Sequence, residues 1–409
     1  MKIAVIGTGG REHAIAVKSL QSPNVQQAHV IPGNSGMLMT ANLCTYPSWD
    51  GSFTSLEHYL RKQDVELVIV GNEAYLQAGI VDYFATSSIK VFGPTKDGAK
   101  LEYSKNFAKQ FMHRHNIPTA GWRTFTDYTS ADRYLKSSEG MIVVKQDGLA
   151  LGKGVLVTAN KEEAGVFLRE SFESTDTVVF EEFLEGPEFS LLAFVNRDYY
   201  NLMIPARDYK RAGDNDEGLN TGGMGAYAPV DYVTAEDMAY VESAIVKPTI
   251  TGLLQEGIEF TGILYFGLMK TANGVKVIEY NTRFGDPEAE VLLEAMQSDL
   301  VEAVLATLAQ RPYRLSWKDG YTLGVCLASK GYPRTYEKGY SVELPTDISC
   351  YSMALERQNY SYVGNGGRVV FVVSSGDTLE DARSSCYADV AKIGCEHIFH
   401  RNDIGLFQK

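Results

Sequence analysis

With 409 residues, 44% hydrophobic and 22% charged, the chain has the composition of an ordinary globular protein and enough length for about three domains. A formal charge of −13 argues against a nucleic-acid surface, and no apolar run approaches the roughly 18 residues of a membrane span. Cys44, Cys326, Cys350, Cys386 and Cys395 are scattered, odd in number and never in a CxxC pair, so neither a disulfide framework nor a zinc site is expected. The chain opens on a strand-like "MKIAVIG" without a signal-peptide pattern, which makes a cytoplasmic location the expectation.

Over the first hundred residues, apolar runs alternate with helical patterns: "KIAVIG", "REHAIAVKSL", "AHVIPG", "VELVIVG", "AGIVDYFAT", "IKVFGP". Such alternation predicts a parallel sheet covered by helices, with the loops "GTGGREH", "PGNSG" and "GNEAYL" gathered at its carboxyl edge. A helix is expected from about Leu101 to Ile117, before Pro118. Short strands follow at 141–146, 153–159, 177–184, 188–195 and 201–206, then a helical stretch from Thr234 to Glu256 and the strands "GILYFGLMK" and "GVKVIEYN". From about Tyr313 come strands at 321–328 and 368–374 and a helix from Thr378 to about Ile393 with Asp377 as its cap.

Several stretches carry chemistry. "GTGGREHA" exposes backbone N–H groups at a helix start, where an anion such as a sugar phosphate binds. A dinucleotide fingerprint fails there, because its third glycine would be Glu12 and no acid follows the second strand near Val30. "VVKQDGLALGKGV" brings Lys145 and Lys153 to a glycine-spaced turn between strands, able to fold over phosphates, although it is not a Walker A loop. "FEEFLEGPEFS" offers backbone groups at Glu182 and Leu184 and a carboxylate at Glu188, spaced for a nucleobase edge and ribose hydroxyls. The charged, glycine-rich loop Arg207–Tyr227 is long for an idle connector. In "VKVIEYNTRFGDPEAE", strand alternation sets Val275, Val277, Glu279 and Asn281 on one face, and two oxygen ligands at a strand end suit Mg²⁺.

In this order, the motifs resemble ATP-grasp ligases, and more narrowly the glycinamide ribonucleotide synthetase (phosphoribosylamine-glycine ligase) family, over nearly the whole chain. "NTGGMGAY" together with "RFGDPE" carries the narrower resemblance. It implies a multidomain α/β and α+β chain. An amino-terminal parallel α/β (pre-ATP-grasp) domain would span 1–100, an ATP-grasp core 101–312 with a β-rich lid at about 121–187, and a small carboxy-terminal α+β domain 313–409. It also implies ligation of glycine to 5-phosphoribosylamine through glycyl phosphate, with ATP cleaved to ADP and phosphate, in purine biosynthesis. Lys105 and Lys145 match phosphate-holding lysines, Glu182 and Leu184 the adenine contact, Glu188 the ribose contact, and Glu279 with Asn281 the Mg²⁺ (or Mn²⁺) ligands. Arg283 and Lys145 are the catalytic candidates. Gly9, Gly10, Asp208, Asn220, Gly222, Gly223 and Asp286 are assigned to glycine and the ribosylamine, and the turn at 148–154 to a lid. Expected partners are ATP and the two substrates, not nucleic acid or membrane, for a monomer or weak homo-oligomer.

Four segments depart from the family pattern: "GNEAYL" for "GPEAPL", "GLALGKGV" for "GLAAGKGV", "RDYKR" for "QDHKR", and "EYNTRFGDPEAE" for "EFNARFGDPETQ". The first places Asn72 and Tyr75 at the expected ribosylamine pocket. The alternatives are another ATP-grasp carboxylate-amine ligase with a changed acceptor, a nicotinamide oxidoreductase, and a silent nucleotide-binding protein.

Overall fold

The computed structural model describes residues 1–149, 154–359 and 361–406. The amino-terminal apolar runs form one parallel sheet in the spatial order Leu43–Thr45, Gln27–Pro32, Lys2–Gly7, Val65–Val70, Lys90–Phe92. Helices cover both faces, which is why the central strands are almost continuously apolar rather than alternating. Strand order reverses beside Lys2–Gly7, so the turn from Gly7 to Gly10 lies at the switch point, where open α/β sheets keep their crevice.

The helix expected over 101–117 is two helices, Lys96–Tyr103 and Lys105–Arg114, because Ser104 between them is extended. Ser104 accepts the Phe107 N–H at 3.2 Å, and this cap puts Lys105 at the first position of the second helix. A smaller difference concerns the last helix, Leu379–Val390, which is capped by Thr378 in a reciprocal box with Asp381, and not by Asp377. The strand expected over 201–206 is Tyr199–Leu202; beyond it Pro205 has no N–H to continue a ladder.

The central sheet is antiparallel, ordered Tyr199–Leu202, Glu188–Asn196, Thr261–Thr271, Gly274–Asn281. Its last strand corrects the alternation argument. Val277 faces Leu268 but Glu279 faces Gly267, so Ile278 is an extra residue in a β-bulge. The bulge reverses the parity of the faces. Val275, Val277 and Tyr280 enter the apolar cluster with Phe266 and Leu268, while Glu279 and Asn281 turn to the opposite side. Strict alternation would have driven Glu279 into that core.

A second antiparallel sheet, Trp122–Phe125, Val178–Glu181, Ile142–Gln146, Val155–Thr158, packs helices Tyr128–Ser137 and Lys161–Ser174 on one face. The carboxy-terminal sheet is built on Tyr321–Ser329, Arg368–Gly376 and Cys350–Ser352, with Ile398–Phe399 at its margin. It also takes in Arg207–Asp208 and Gly225–Ala228, so the long charged loop is tied to this sheet at both ends. No helix among the described residues is long and apolar enough to cross a membrane.

Where the 178–181 strand passes to the central sheet, Gly186 has φ +145° and lies against the Lys270 carbonyl, which a Cβ would strike. Gly186→Ala is therefore expected to destabilise the protein by about 3 kcal/mol through overpacking against backbone. Thermal denaturation of variant and parent will measure it, and an unchanged Tm would show that the two backbones can separate at little cost.

Candidate active site

A cavity of about 1050 Å³ opens where the amino-terminal turn, the central sheet, the 121–187 region and the long charged loop converge. Of the residues singled out from sequence, Lys105, Lys145, Glu182, Leu184, Glu188, Glu279, Asn281, Arg283, Gly9, Gly10, Asp208, Asn220, Gly222 and Asp286 all line it. Gly223 is not on the wall. It backs the wall at φ +111°, pressed against Pro287, so its role is close packing of two loops. Gly148 and Gly154 border the cavity, whereas Ala150, Leu151, Gly152 and Lys153 of the expected lid lie outside the described residues.

One end of the cavity is cationic. Lys145, on Ile142–Gln146, meets Glu181 Oε1 at 3.0 Å, while Lys109 meets Glu181 Oε2 at 2.8 Å and donates to Thr119 Oγ1 at 2.8 Å. Burial pushes Lys109 down to about 8 despite the pull of Glu181. Lys105 reaches across to donate to Gly148 O at 2.9 Å, and burial, with Lys145 nearby, lowers its pKa. Lys210, two residues beyond Asp208, pairs with Glu188 at 2.9 Å and lies 3.7 Å from Asp208.

Glu279 and Asn281 face these lysines. Burial alone would raise the Glu279 carboxyl, but Lys210, Lys145 and Lys105 hold it below the ordinary carboxylate range. The pair thus presents an ionised carboxylate and an amide oxygen, the hard donors Mg²⁺ takes. Among the described residues no cluster of three or more His, Cys, Asp or Glu could hold a metal by itself. Two protein ligands with phosphate and water completing the shell is the arrangement the residues fit.

Arg283 is clamped from three sides: Glu102 at 2.8 Å, Glu73 at 3.4 Å, and Asn281 Oδ1, which accepts from it at 3.2 Å. Glu102 also accepts the Thr282 N–H at 2.8 Å. Although burial opposes it, Arg283 and Arg11 hold the Glu73 carboxyl at about 2. Breaking one partner out of such a buried pair costs about 3–5 kcal/mol, so Arg283 is fixed in place.

The opposite wall is acidic and glycine-rich. Burial, together with Glu288, Glu188 and Glu279, pushes Asp208 up to about 7 against the pull of Lys210. Asp286 pairs with Arg368 at 2.7 Å, and Arg368 also donates to Gly222 O at 2.7 Å. Glu288 accepts from Tyr265 Oη at 2.6 Å and Ser190 Oγ at 3.1 Å. At the amino-terminal turn the Gly9 N–H donates to Glu12 at 2.7 Å, so this amide is not open to an anion as the sequence suggested. Gly7, at φ +144°, leaves room for the Glu12 side chain, which fills the approach a dinucleotide would need.

Glu102, Lys109, Glu181, Lys210, Arg368 and the buried Arg401 were not foreseen. Lys210 alone had a signal, since "RDYK" puts Asp208 and Lys210 two apart in an extended segment. Arg401 holds Asp403 at 2.6 Å and Asp216 at 2.8 Å, fastening the tip of the hairpin that pairs Arg211–Gly213 with Glu217–Asn220 in the charged loop. Of the departure at "GNEAYL", Asn72 lines the cavity and caps the helix Glu73–Gln77 by accepting the Ala74 N–H at 2.9 Å, whereas Tyr75 packs against Trp49 and is not on the cavity wall.

Three family models match in succession: phosphoribosylglycinamide synthetase N domain over 1–102, its ATP-grasp (A) domain over 103–289, and its C domain over 322–407. A phosphoribosylamine–glycine ligase of Streptococcus pneumoniae serotype 4 is 43% identical over 416 aligned residues, covering 99% of each chain. The crystal structure of phosphoribosylamine–glycine ligase from Thermotoga maritima superposes with a TM-score of 0.85 at 32% identity, covering 99% of this chain and 100% of that one. The biotin carboxylase domain of a Hydrogenobacter thermophilus 2-oxoglutarate carboxylase shares the fold, with a TM-score of 0.74 at 15% identity over 97% of this chain and 91% of that one. An amino-terminal parallel sheet, an ATP-grasp core and a carboxy-terminal domain, matched in order along the chain, make it a member of the phosphoribosylglycinamide synthetase family.

Proposed function

We propose that the chain ligates glycine to 5-phosphoribosylamine through glycyl phosphate, converting ATP to ADP and phosphate as a step of purine biosynthesis. The observation that carries this reading is one cavity in which Lys105, Lys145, Lys210 and Arg283 surround the Glu279–Asn281 pair, in a chain matched end to end by relatives bearing that name.

A glycine carboxylate oxygen attacks the γ-phosphorus and the bond to the bridging oxygen of ADP breaks. The amine nitrogen then attacks the acyl carbon and phosphate leaves. Neither step needs a side-chain nucleophile, so the work is positioning and charge neutralisation. Lys105, Lys145 and Lys210 hold the phosphates, and the Gly148 carbonyl, Glu181 and Glu188, respectively, keep those lysines in place before the reaction begins. Arg283, locked by Glu73 and Glu102, aims its remaining donor capacity at the transferring group. Glu279 and Asn281 would hold Mg²⁺ or Mn²⁺, which when bound offsets negative charge on the phosphates. The Glu182 N–H is already given to Gly121 O at 2.7 Å, so the adenine edge meets the Glu182 carbonyl and the Leu184 backbone, with Glu188 toward the ribose. Asp208 and the wall of Gly10, Asn220, Gly222 and Asp286 take glycine and the ribosylamine.

ADP release, followed by a coupled assay, should require glycine and 5-phosphoribosylamine together; equal turnover with a different amine would assign another acceptor. Glu279→Ala should lower kcat by about 10²–10³-fold, the scale of losing one preorganised electrostatic group at a transition state. Full activity in that variant with Mg²⁺ present would remove Glu279 from the metal site. Lys145→Met should raise the KM for ATP by about tenfold or more, in line with loss of a charged hydrogen bond to phosphate, and an unchanged KM would release Lys145 from that role.

A further inference from the structure

Behind the acceptor wall stands a carboxyl group that none of these steps uses. Glu290 is in the first turn of the helix Glu288–Ala295 and is wholly buried. Among the described residues it is the one side chain with both carboxyl oxygens buried and without a hydrogen-bond partner. It lies under the amino-terminal glycine turn: a Cβ at Gly10 would come 2.5 Å from Glu290 Oε1 and 3.1 Å from Met353. Gly10 therefore gives this carboxyl its space.

The charged and titratable groups facing Glu290 are Asp286, one turn earlier, Arg368 from the carboxy-terminal sheet and Arg11 from the first helix. The Cys326 thiol and Tyr351 complete the surround. Both arginines are committed elsewhere. Arg368 holds Asp286 and the Gly222 carbonyl, and Arg11 holds Glu12 at 2.6 Å and the Phe284 carbonyl at 3.2 Å. An ionised Glu290 would be a second anion beside Asp286 and would compete for Arg368. It would do so at the junction fixing Gly10, Asp286 and Gly222, three groups of the acceptor wall.

Resting on the proposed ligase reading, we propose that Glu290 is a positioning residue held as a neutral carboxylic acid, whose uncharged state keeps Arg368 on Asp286 and Gly222 and so sets the acceptor end of the cavity. Burial first, and then Asp286, raise its pKa well above the ordinary carboxylate value, against Arg368 and Arg11. The sign follows: the folded state keeps a proton the unfolded chain has released, so integrity of this wall is full at lower pH and is lost as pH rises through the folded pKa.

The test measures kcat and KM for each substrate against pH in the full-length enzyme, Glu290→Gln and Glu290→Leu. Glu290→Gln, the uncharged isostere, should keep kcat within about twofold and lose the part of the alkaline decline that Glu290 causes. Glu290→Leu, equally uncharged, should leave Arg368 on Asp286 and make the KM for 5-phosphoribosylamine independent of alkaline pH, while leaving that for ATP unchanged. If Glu290→Leu fails to fold, Glu290→Met, uncharged and of similar length, should show the same loss of pH dependence. The proposal is overturned if Glu290→Gln has the parent's alkaline profile, or if the KM values for ATP and the amine rise together. Parent enzyme without glycine- and amine-dependent ADP release would instead overturn the ligase reading.

Discussion

One extra residue in the strand Gly274–Asn281 decides which side of the central sheet the chemistry faces. Before Ile278 the odd-numbered residues belong to the apolar cluster of Phe266, Leu268, Val275 and Val277; after it they face the cavity. An ionised carboxylate among those side chains would carry a desolvation cost that no partner there could offset. Displaced by the bulge, Glu279 meets Lys105, Lys145 and Lys210 instead. The other segments are arranged around that reversal. A capped helix start presents Lys105, the strand Ile142–Gln146 presents Lys145, and Arg283 follows two residues past the strand end.

A chain of formal charge −13 builds a cation-lined cavity by pairing most of its cations with acids, while Lys105 is held by the Gly148 carbonyl. Glu181 is shared by Lys145 and Lys109, Glu188 serves Lys210, Glu73 and Glu102 serve Arg283, and Asp286 serves Arg368. Such pairs are weak evidence of net stability, because desolvation offsets much of the attraction. Their value here is fixity: Lys145 and Lys109, held by the buried Glu181 carboxylate, do not have to reorganise when a ligand enters. The partners also come from different parts of the fold. Glu73 opens the helix Glu73–Gln77 that follows the strand Val65–Val70, Glu102 lies on the helix Lys96–Tyr103 and Arg283 just past the end of the central-sheet strand Gly274–Asn281, so the same pairs hold these parts in register.

What periodicity can show, it showed: the parallel amino-terminal sheet, the antiparallel strands after it and the polar strand end at Glu279 and Asn281. The bulge was not legible in the sequence, because Ile278, between apolar Val277 and charged Glu279, fits either face of a strand and only the partner strand reveals the shifted register. Lys109 had no local signal, because its partner Glu181 lies far along the chain. Arg368 and Arg401 had no local signal either, since Asp286 and Asp216 lie in other elements. Glu12 was legible as the missing third glycine, but its occupation of the turn through the Gly9 N–H depends on space left by Gly7 and Gly71.

The crowding of charge in "RFGDPEAE" follows from where that segment sits. It leaves the central sheet at Asn281 and must enter the helix Glu288–Ala295 while the amino-terminal turn, the charged loop and the carboxy-terminal sheet close around it. Each acid faces a different neighbour. Asp286 takes Arg368 of the carboxy-terminal sheet, Glu288 takes Tyr265 and Ser190 of the central sheet, and Glu290 lies beneath Gly10 of the first helix. Apolar residues could fill the same space, but they would not fix the direction of approach as the bonds of Asp286 and Glu288 to their named partners do. The segment is therefore a joint as much as a ligand wall, and its polarity follows from having three parts of the fold to hold at the edge of a charged cavity.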